Sequence, residues 1–226
     1  MRVLLWASFL FLMACGRPLT PNEVQFARSL YGEELNPKPV RLVNGHFARS
    51  LTLEYAARPR VTCQERILPP LKEATYTTSP GAIAVYTRVF FRKDLHRPDF
   101  AREYSVGTDL YDLMLFAHEM AHVWQWQNRQ RTGYTPLKAA SEHTTTADPY
   151  LFDINSAPDF LSYPYEQQAA IVEEFVCCRA LAPQAARTAR LHKMLSVAMP
   201  VDRLQSRADS LAVVPWKGAE IQGICD

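Results

Sequence analysis

The chain has 226 residues, 48% hydrophobic and 21% charged, with a formal net charge of +2. This excludes a disordered chain and suffices for one domain with a sizeable core. The near-balanced charge, with no basic block and no aromatic–basic stripe, argues against nucleic acid as a partner.

Residues 1–15 read as a targeting segment outside the fold. Met1-Arg2 is a short basic start, and Val3 to Met13 is an apolar run too short to span a bilayer comfortably. The stretch ends Leu12-Met13-Ala14-Cys15-Gly16. This looks like a bacterial lipoprotein signal. The resemblance implies a lipidated Cys15 as the mature N-terminus, anchoring residues 16–226 to the membrane on its periplasmic side. Plain secretion with Cys15 removed is the alternative.

The mature chain opens on a helix. Thr20 can N-cap it, Pro21 suits its first position, and Glu23 completes a capping box ahead of Val24, Phe26, Ala27 and Leu30. Pro37 and Pro39 break the chain. Val40-Arg41-Leu42-Val43 alternates as a strand does and stops at the turn signal Asn44-Gly45. His46, just past that turn, reads as an exposed loop residue. Leu51-Thr52-Leu53 and Val61-Thr62-Cys63 are candidates for short strands. The best strand runs from Ala82 to Phe91, β-branched and aromatic, behind Pro80-Gly81. Its edge could pair with an extended peptide; a plain core strand is equally consistent.

His118-Glu119-Met120-Ala121-His122 sits inside the most apolar helical run of the mature chain. Residues i and i+4 share one helix face, so two imidazoles can hold one Zn²⁺ there. Glu119 beside the first histidine can reach a water next to the metal without ligating it, as a general base must. Leu110, Leu113, Met114, Ala117 and Ala121 lie on the histidine side, and Phe116, Met120, Val123 and Trp124 cover the other. A helix that is apolar all round is buried. Gly107 with Thr108 or Asp109 starts it; Arg129, Arg131 and Gly133 stop it.

Thr132 to Ser162 is rich in turn and polar residues and long for a loop; such a stretch either carries function or hides short elements, and it contains Tyr134, His143, Asp148, Tyr150 and Asp153 as possible cleft residues. The next helix begins around Tyr163-Pro164-Tyr165-Glu166, with Pro164 at its first position, and Pro183 closes it. Glu166, Ala169, Ala170, Glu173 and Cys177 form one stripe. A catalytic zinc needs a third protein ligand. Glu166 is the first choice, because Ala169 and Ala170 let the two helices pack closely; Glu173 is second, with His143 and Glu174 behind. Gln184 to Ala198 is amphipathic, Pro200 interrupts it, and Val201 to Leu211 is a candidate last helix. His192, between basic residues, reads as a surface residue.

His118-Glu119-Met120-Ala121-His122-Val123-Trp124-Gln125, followed by Tyr165-Glu166-Gln167-Gln168-Ala169, resembles a group of bacterial zinc-metallopeptidase-like proteins often labelled Vgr-related. These are similar to the metallopeptidase-like domain of extracellular contractile injection systems. Leu19-Thr20-Pro21-Asn22-Glu23, Leu30-Tyr31-Gly32 and Val40-Arg41-Leu42 share the likeness, which covers most of residues 19–181. It implies a gluzincin-type site with His118, His122 and Glu166 as ligands and Glu119 as base. An acidic residue often follows the alanine after the third ligand in this group; here that place is Ala170, so support for a histidine must come from elsewhere.

With Cys15 lipidated, Cys63, Cys177, Cys178 and Cys225 remain as an even set in an oxidising compartment. A bond between adjacent cysteines needs a strained ring, which leaves Cys63 with one of the vicinal pair and Cys225 with the other. Cys177 shares the Glu166 stripe and faces inward, which favours Cys63–Cys177 and Cys178–Cys225. Free thiols or cysteine-bound metal are the alternatives.

The expectation is therefore an α+β fold: a mainly helical, zincin-like single domain over residues 16–226, with a small β-sheet upstream of the zinc helix. The expected activity is zinc-dependent hydrolysis of a peptide or protein substrate in the bacterial envelope. The alternative is a non-catalytic zinc-binding lipoprotein serving as a structural part of an envelope or injection machine. Intact Glu119 favours the enzyme, since a structural zinc has no use for that base.

Overall fold

Helix α1 (Pro21–Tyr31) starts as its sequence dictates. Thr20 Oγ1 accepts from Glu23 N at 3.2 Å and Glu23 accepts from Thr20 N at 2.9 Å, which closes the capping box. The buried Glu23 carboxylate also takes two 2.7 Å bonds from Arg17 and one of 2.9 Å from Phe100 N. A buried charge is thereby fully paired, as its desolvation requires. The computed structural model describes residues 16–226 apart from 47, 49, 50, 103–106, 158 and 206. The expected signal segment, residues 1–15 with Cys15, lies outside the described residues.

Strand β1 (Arg41–Asn44) follows the two prolines as expected. β2 (Leu53–Ala56) forms, but Val61-Thr62-Cys63 does not make a strand; Cys63 opens the short helix α2 (Cys63–Ile67). β3 (Thr75–Thr78) pairs antiparallel with β2. The single strand expected over 82–91 is two: β4 (Ala82–Val85) and β5 (Arg88–Phe91), an antiparallel hairpin. The turn was hidden because no Gly, Asn or Pro marks it. Tyr86 itself takes the left-handed conformation at φ 59°, with its ring 4.5 Å from that of Trp126. β5 also pairs parallel with β1, so the sheet order is β1-β5-β4, with β4 at an edge. His46 is tied down, its Nε2 2.9 Å from the Pro80 carbonyl oxygen.

β6 (Thr108–Asp109) leads straight into α3 (Leu110–Gln127), where the Asp109 side chain caps Tyr111 N and Asp112 N. Every residue from Phe116 to Gln125 is buried, matching the all-round apolar run. The short helix α4 (Arg129–Thr132) ends on Gly133 in the left-handed region. The expected loop contains a helix, α5 (Pro136–Thr145), N-capped by Thr135 with Pro136 in its first turn. The Thr-Pro signal was present; the polar run after it, with one buried residue, Ala139, hid the helix. α6 (Tyr165–Leu181) begins one place later than expected, with Pro164 as N-cap rather than inside. It packs along α3, and both Ala169 and Ala170 on it are buried.

α7 (Ala186–Ala198) matches the amphipathic run. His192 is half-buried, not a free surface residue: its Nε2 lies 3.2 Å from Val201 O and its ring packs on Phe175. The expected helix over 201–211 shrinks to α8 (Arg207–Ser210), because the chain then leaves it to form β7 (Ala212–Val213) beside β6. That pairing needs Gly107. Its φ is +85°, and a Cβ there would meet Val213 Cγ2 at 2.3 Å and Leu211 O at 2.6 Å.

Two disulfides, Cys63–Cys177 and Cys178–Cys225, anchor on α6 in the favoured pairing. One ties α6 to α2, the other to the tail. The architecture is α+β, with the small sheets preceding or flanking the helical core. Among the described residues no helix is long and apolar enough to cross a membrane.

Candidate metal centre

His118 and His122 stand one turn apart on α3, their rings 5.0 Å apart and nearly perpendicular. Both turn Nε2 to the same atom, Glu166 Oε2, at 3.2 and 3.3 Å. One ligand atom from each residue falls within 4.8 Å of the others, and all three residues are buried. Two imidazole nitrogens and one carboxylate oxygen are the donor set of an open zinc site. Glu119 adds a second sign of fit: its Oε2 is buried with no hydrogen-bond partner among the described residues. An orphaned carboxylate oxygen there is costly unless a ligand or reactant engages it. His118, Glu119, His122 and Glu166 are thus brought together.

The other nitrogens of the two histidines are held from outside. His118 Nδ1 donates to Glu173 Oε2 at 3.2 Å, and His122 Nδ1 donates to Gln125 Oε1 at 2.9 Å. Gln125 is fixed in turn, donating to Gln168 Oε1 at 2.9 Å and Tyr165 O at 3.2 Å. With the outer nitrogens so engaged, each Nε2 is the nitrogen left free to turn to Glu166 or to a metal held beside it. Glu173, the second choice as third ligand, is therefore behind His118 and not beside Glu166. It supplies what Ala170 cannot. Glu174, ranked lower, points away, bonded to Cys63 N and Arg187.

His143 Nε2 approaches Glu166 Oε1 at 3.4 Å, and Tyr55 OH meets His143 Nδ1 at 3.2 Å. Tyr163 and Tyr165 do not reach the site: their hydroxyls donate to Asp153 O and Thr132 O. Tyr150 packs on His118 and His143, and Tyr134 stacks on His122. Asp148 orients the guanidinium of Arg58, which lies over the Tyr150 ring.

The charges are coupled. Burial disfavours a charged His118, but hydrogen bonds to Glu166 and Glu173 outweigh it and hold its pKa well above the ordinary histidine value. Burial would raise Glu166 as well; His122, His118 and His143 reverse this and hold it well below the carboxylate range. Burial wins at Glu119, whose pKa is raised although His118 and His122 oppose it.

A cleft of about 450 Å³ opens on this cluster. His118, Glu119 and Glu173 are among its lining residues, as are Gly81 and Ala82 at the start of β4, Tyr111 and Leu115.

No family model and no curated protein matches the chain. Among solved structures, the effector domain of Pseudomonas aeruginosa VgrG2b is similar, with a TM-score of 0.51 and 22% identity over 82% of this chain and 85% of that one. The two share a fold. At that identity the likeness speaks for the arrangement of helices and strands, in keeping with the Vgr-related resemblance of the sequence.

Sequence reasoning missed three contributors. Gln125 was within reach, because it lies three residues past His122 on the same helix. Glu173, the second choice as ligand, stands on the expected stripe but against His118 Nδ1. Glu142, whose carboxylate accepts from Tyr165 N and Glu166 N at 2.9 Å each, had no signal, being on a helix read as loop.

Proposed function

We propose that the chain is a zinc-dependent hydrolase of peptide bonds that acts in the bacterial envelope or after secretion. The zinc would be held by His118 Nε2, His122 Nε2 and Glu166. The observation that carries this reading is the convergence of those atoms near Glu119, whose Oε2 has no hydrogen-bond partner among the described residues, with His118 and Glu119 lining an open cleft. Zinc, when bound, supplies a Lewis acid that polarises the scissile carbonyl and makes water nucleophilic near neutral pH. Glu119 Oε2 takes the proton from the attacking water and passes it to the departing amine nitrogen. Glu173 and Gln125 hold the imidazoles in place. The β4 edge offers main-chain donors and acceptors to an extended substrate.

The two disulfides and a fold shared with an effector domain support a place of action outside the reducing cytoplasm. A lipidated Cys15 would hold the enzyme at the membrane. The deciding experiment is metal analysis with a peptide-library digest, wild type beside Glu119→Gln. About one zinc per chain is expected. The variant should keep the metal and cut nothing. Cleavage by Glu119→Gln at the wild-type rate, or a wild type without zinc, would sink the assignment.

A further inference from the structure

Helix α6 carries Glu166 in its first turn, yet Pro164 provides no side-chain cap. The first N–H groups of a helix need acceptors from elsewhere. Tyr165 N donates to Glu142 Oε1 and Glu166 N to Glu142 Oε2, both at 2.9 Å. The next residue, His143, places Nε2 3.4 Å from Glu166 Oε1. That is the oxygen His118 and His122 leave aside, since both address Oε2. Tyr55 holds the far nitrogen of His143. Two consecutive residues of α5 thus grip Glu166 at its main chain and at its side chain.

The geometry points to Glu142 and His143 as positioning residues for the third metal ligand, an inference that rests on the metal-site reading above. A glutamate side chain has three rotatable bonds, and ordering it on metal binding costs free energy. Glu142 fixes where the side chain starts, and His143 fixes which oxygen turns outward. Capping alone would account for Glu142 but leaves His143 unexplained. α5 buries little of its own surface, Ala139 apart, so these polar contacts also hold α5 in place.

The test is zinc affinity by competition with a chromophoric chelator, together with the Co²⁺ absorption spectrum, on the full mature chain. Wild type is compared with Glu142→Ala, Glu142→Gln, His143→Leu and His143→Gln. Loss of such outer partners weakens metal binding about 10–100-fold. That range is expected for Glu142→Ala and His143→Leu, with a shifted Co²⁺ spectrum. The glutamine variants should lie between, since each keeps one suitable hydrogen-bonding atom; they carry the test if the harsher variants fail to fold. Affinities within twofold of wild type, with an unchanged spectrum, overturn the proposal, even if melting temperatures fall. A wild type that takes up no zinc overturns the metal site itself, a separate outcome from normal uptake by wild type and variants alike.

Discussion

Glu173 Oε2 lies 3.2 Å from His118 Nδ1, while Glu166 Oε2 lies 3.2 Å from the other ring nitrogen, Nε2. One helix therefore supplies both the carboxylate at the proposed metal position and the carboxylate behind the first histidine. The two acids differ in rank as a consequence. Glu166→Ala should abolish tight zinc binding, whereas Glu173→Ala should weaken it about 10–100-fold. Isothermal titration with zinc checks the order; a larger loss in Glu173→Ala would reverse the two roles.

The bridges on α6 close loops of different length, with separations of 114 residues for Cys63–Cys177 and 47 for Cys178–Cys225. Removing a native disulfide costs about 2–5 kcal/mol, more for the longer loop in the chain-entropy view. Double replacement Cys63→Ala with Cys177→Ala should thus lower the denaturant midpoint more than Cys178→Ala with Cys225→Ala. Equal midpoints would show that loop length does not govern the effect here.

Gly107→Ala combines a left-handed backbone with a collision against Val213 and Leu211, where β7 meets β6. Strain of this kind costs about 1–3 kcal/mol before the clash is added. A clear fall in melting temperature is expected, with faster amide exchange at Thr108, whose N–H donates to Leu211 O at 2.9 Å. Unchanged exchange there would mean that the strand pair tolerates a side chain.

His96 lies away from the metal cluster, its ring at the edge of Phe91. Burial lowers its pKa, and Arg17 adds to the effect. The unfolded chain, with an ordinary histidine pKa of about 6.5, then takes up the proton before the native state does. Native stability contributed by the neutral ring is present above that value and is lost as pH falls from it through the lowered folded pKa. His96→Gln should flatten the dependence of melting temperature on pH below about 6.5 relative to wild type. A variant curve parallel to the wild-type one would remove His96 from the account.

Much of the centre was legible before folding was considered. The His118–His122 spacing, the apolar faces around it, and the capping box at Thr20 and Glu23 are local, and helix geometry alone converts them into positions. Glu166 was singled out from the helical stripe that Cys177 shares, and the disulfide pairing followed from that stripe and from the strain of a bond between adjacent cysteines. Other features were decided by tertiary structure. Tyr86 turns the chain although its type favours a strand, since its ring can rest on Trp126, far off in sequence. The tail leaves α8 for a strand because Gly107 lets it approach β6. Glu142 caps a helix that begins on a proline, across a connection that reads as loop. Sequence periodicity reports which face of one element is buried; it carries no record of which distant donor or acceptor satisfies a helix end or the outer nitrogen of a histidine. Those partners are chosen when separate elements pack, and here they complete the surroundings of Glu166.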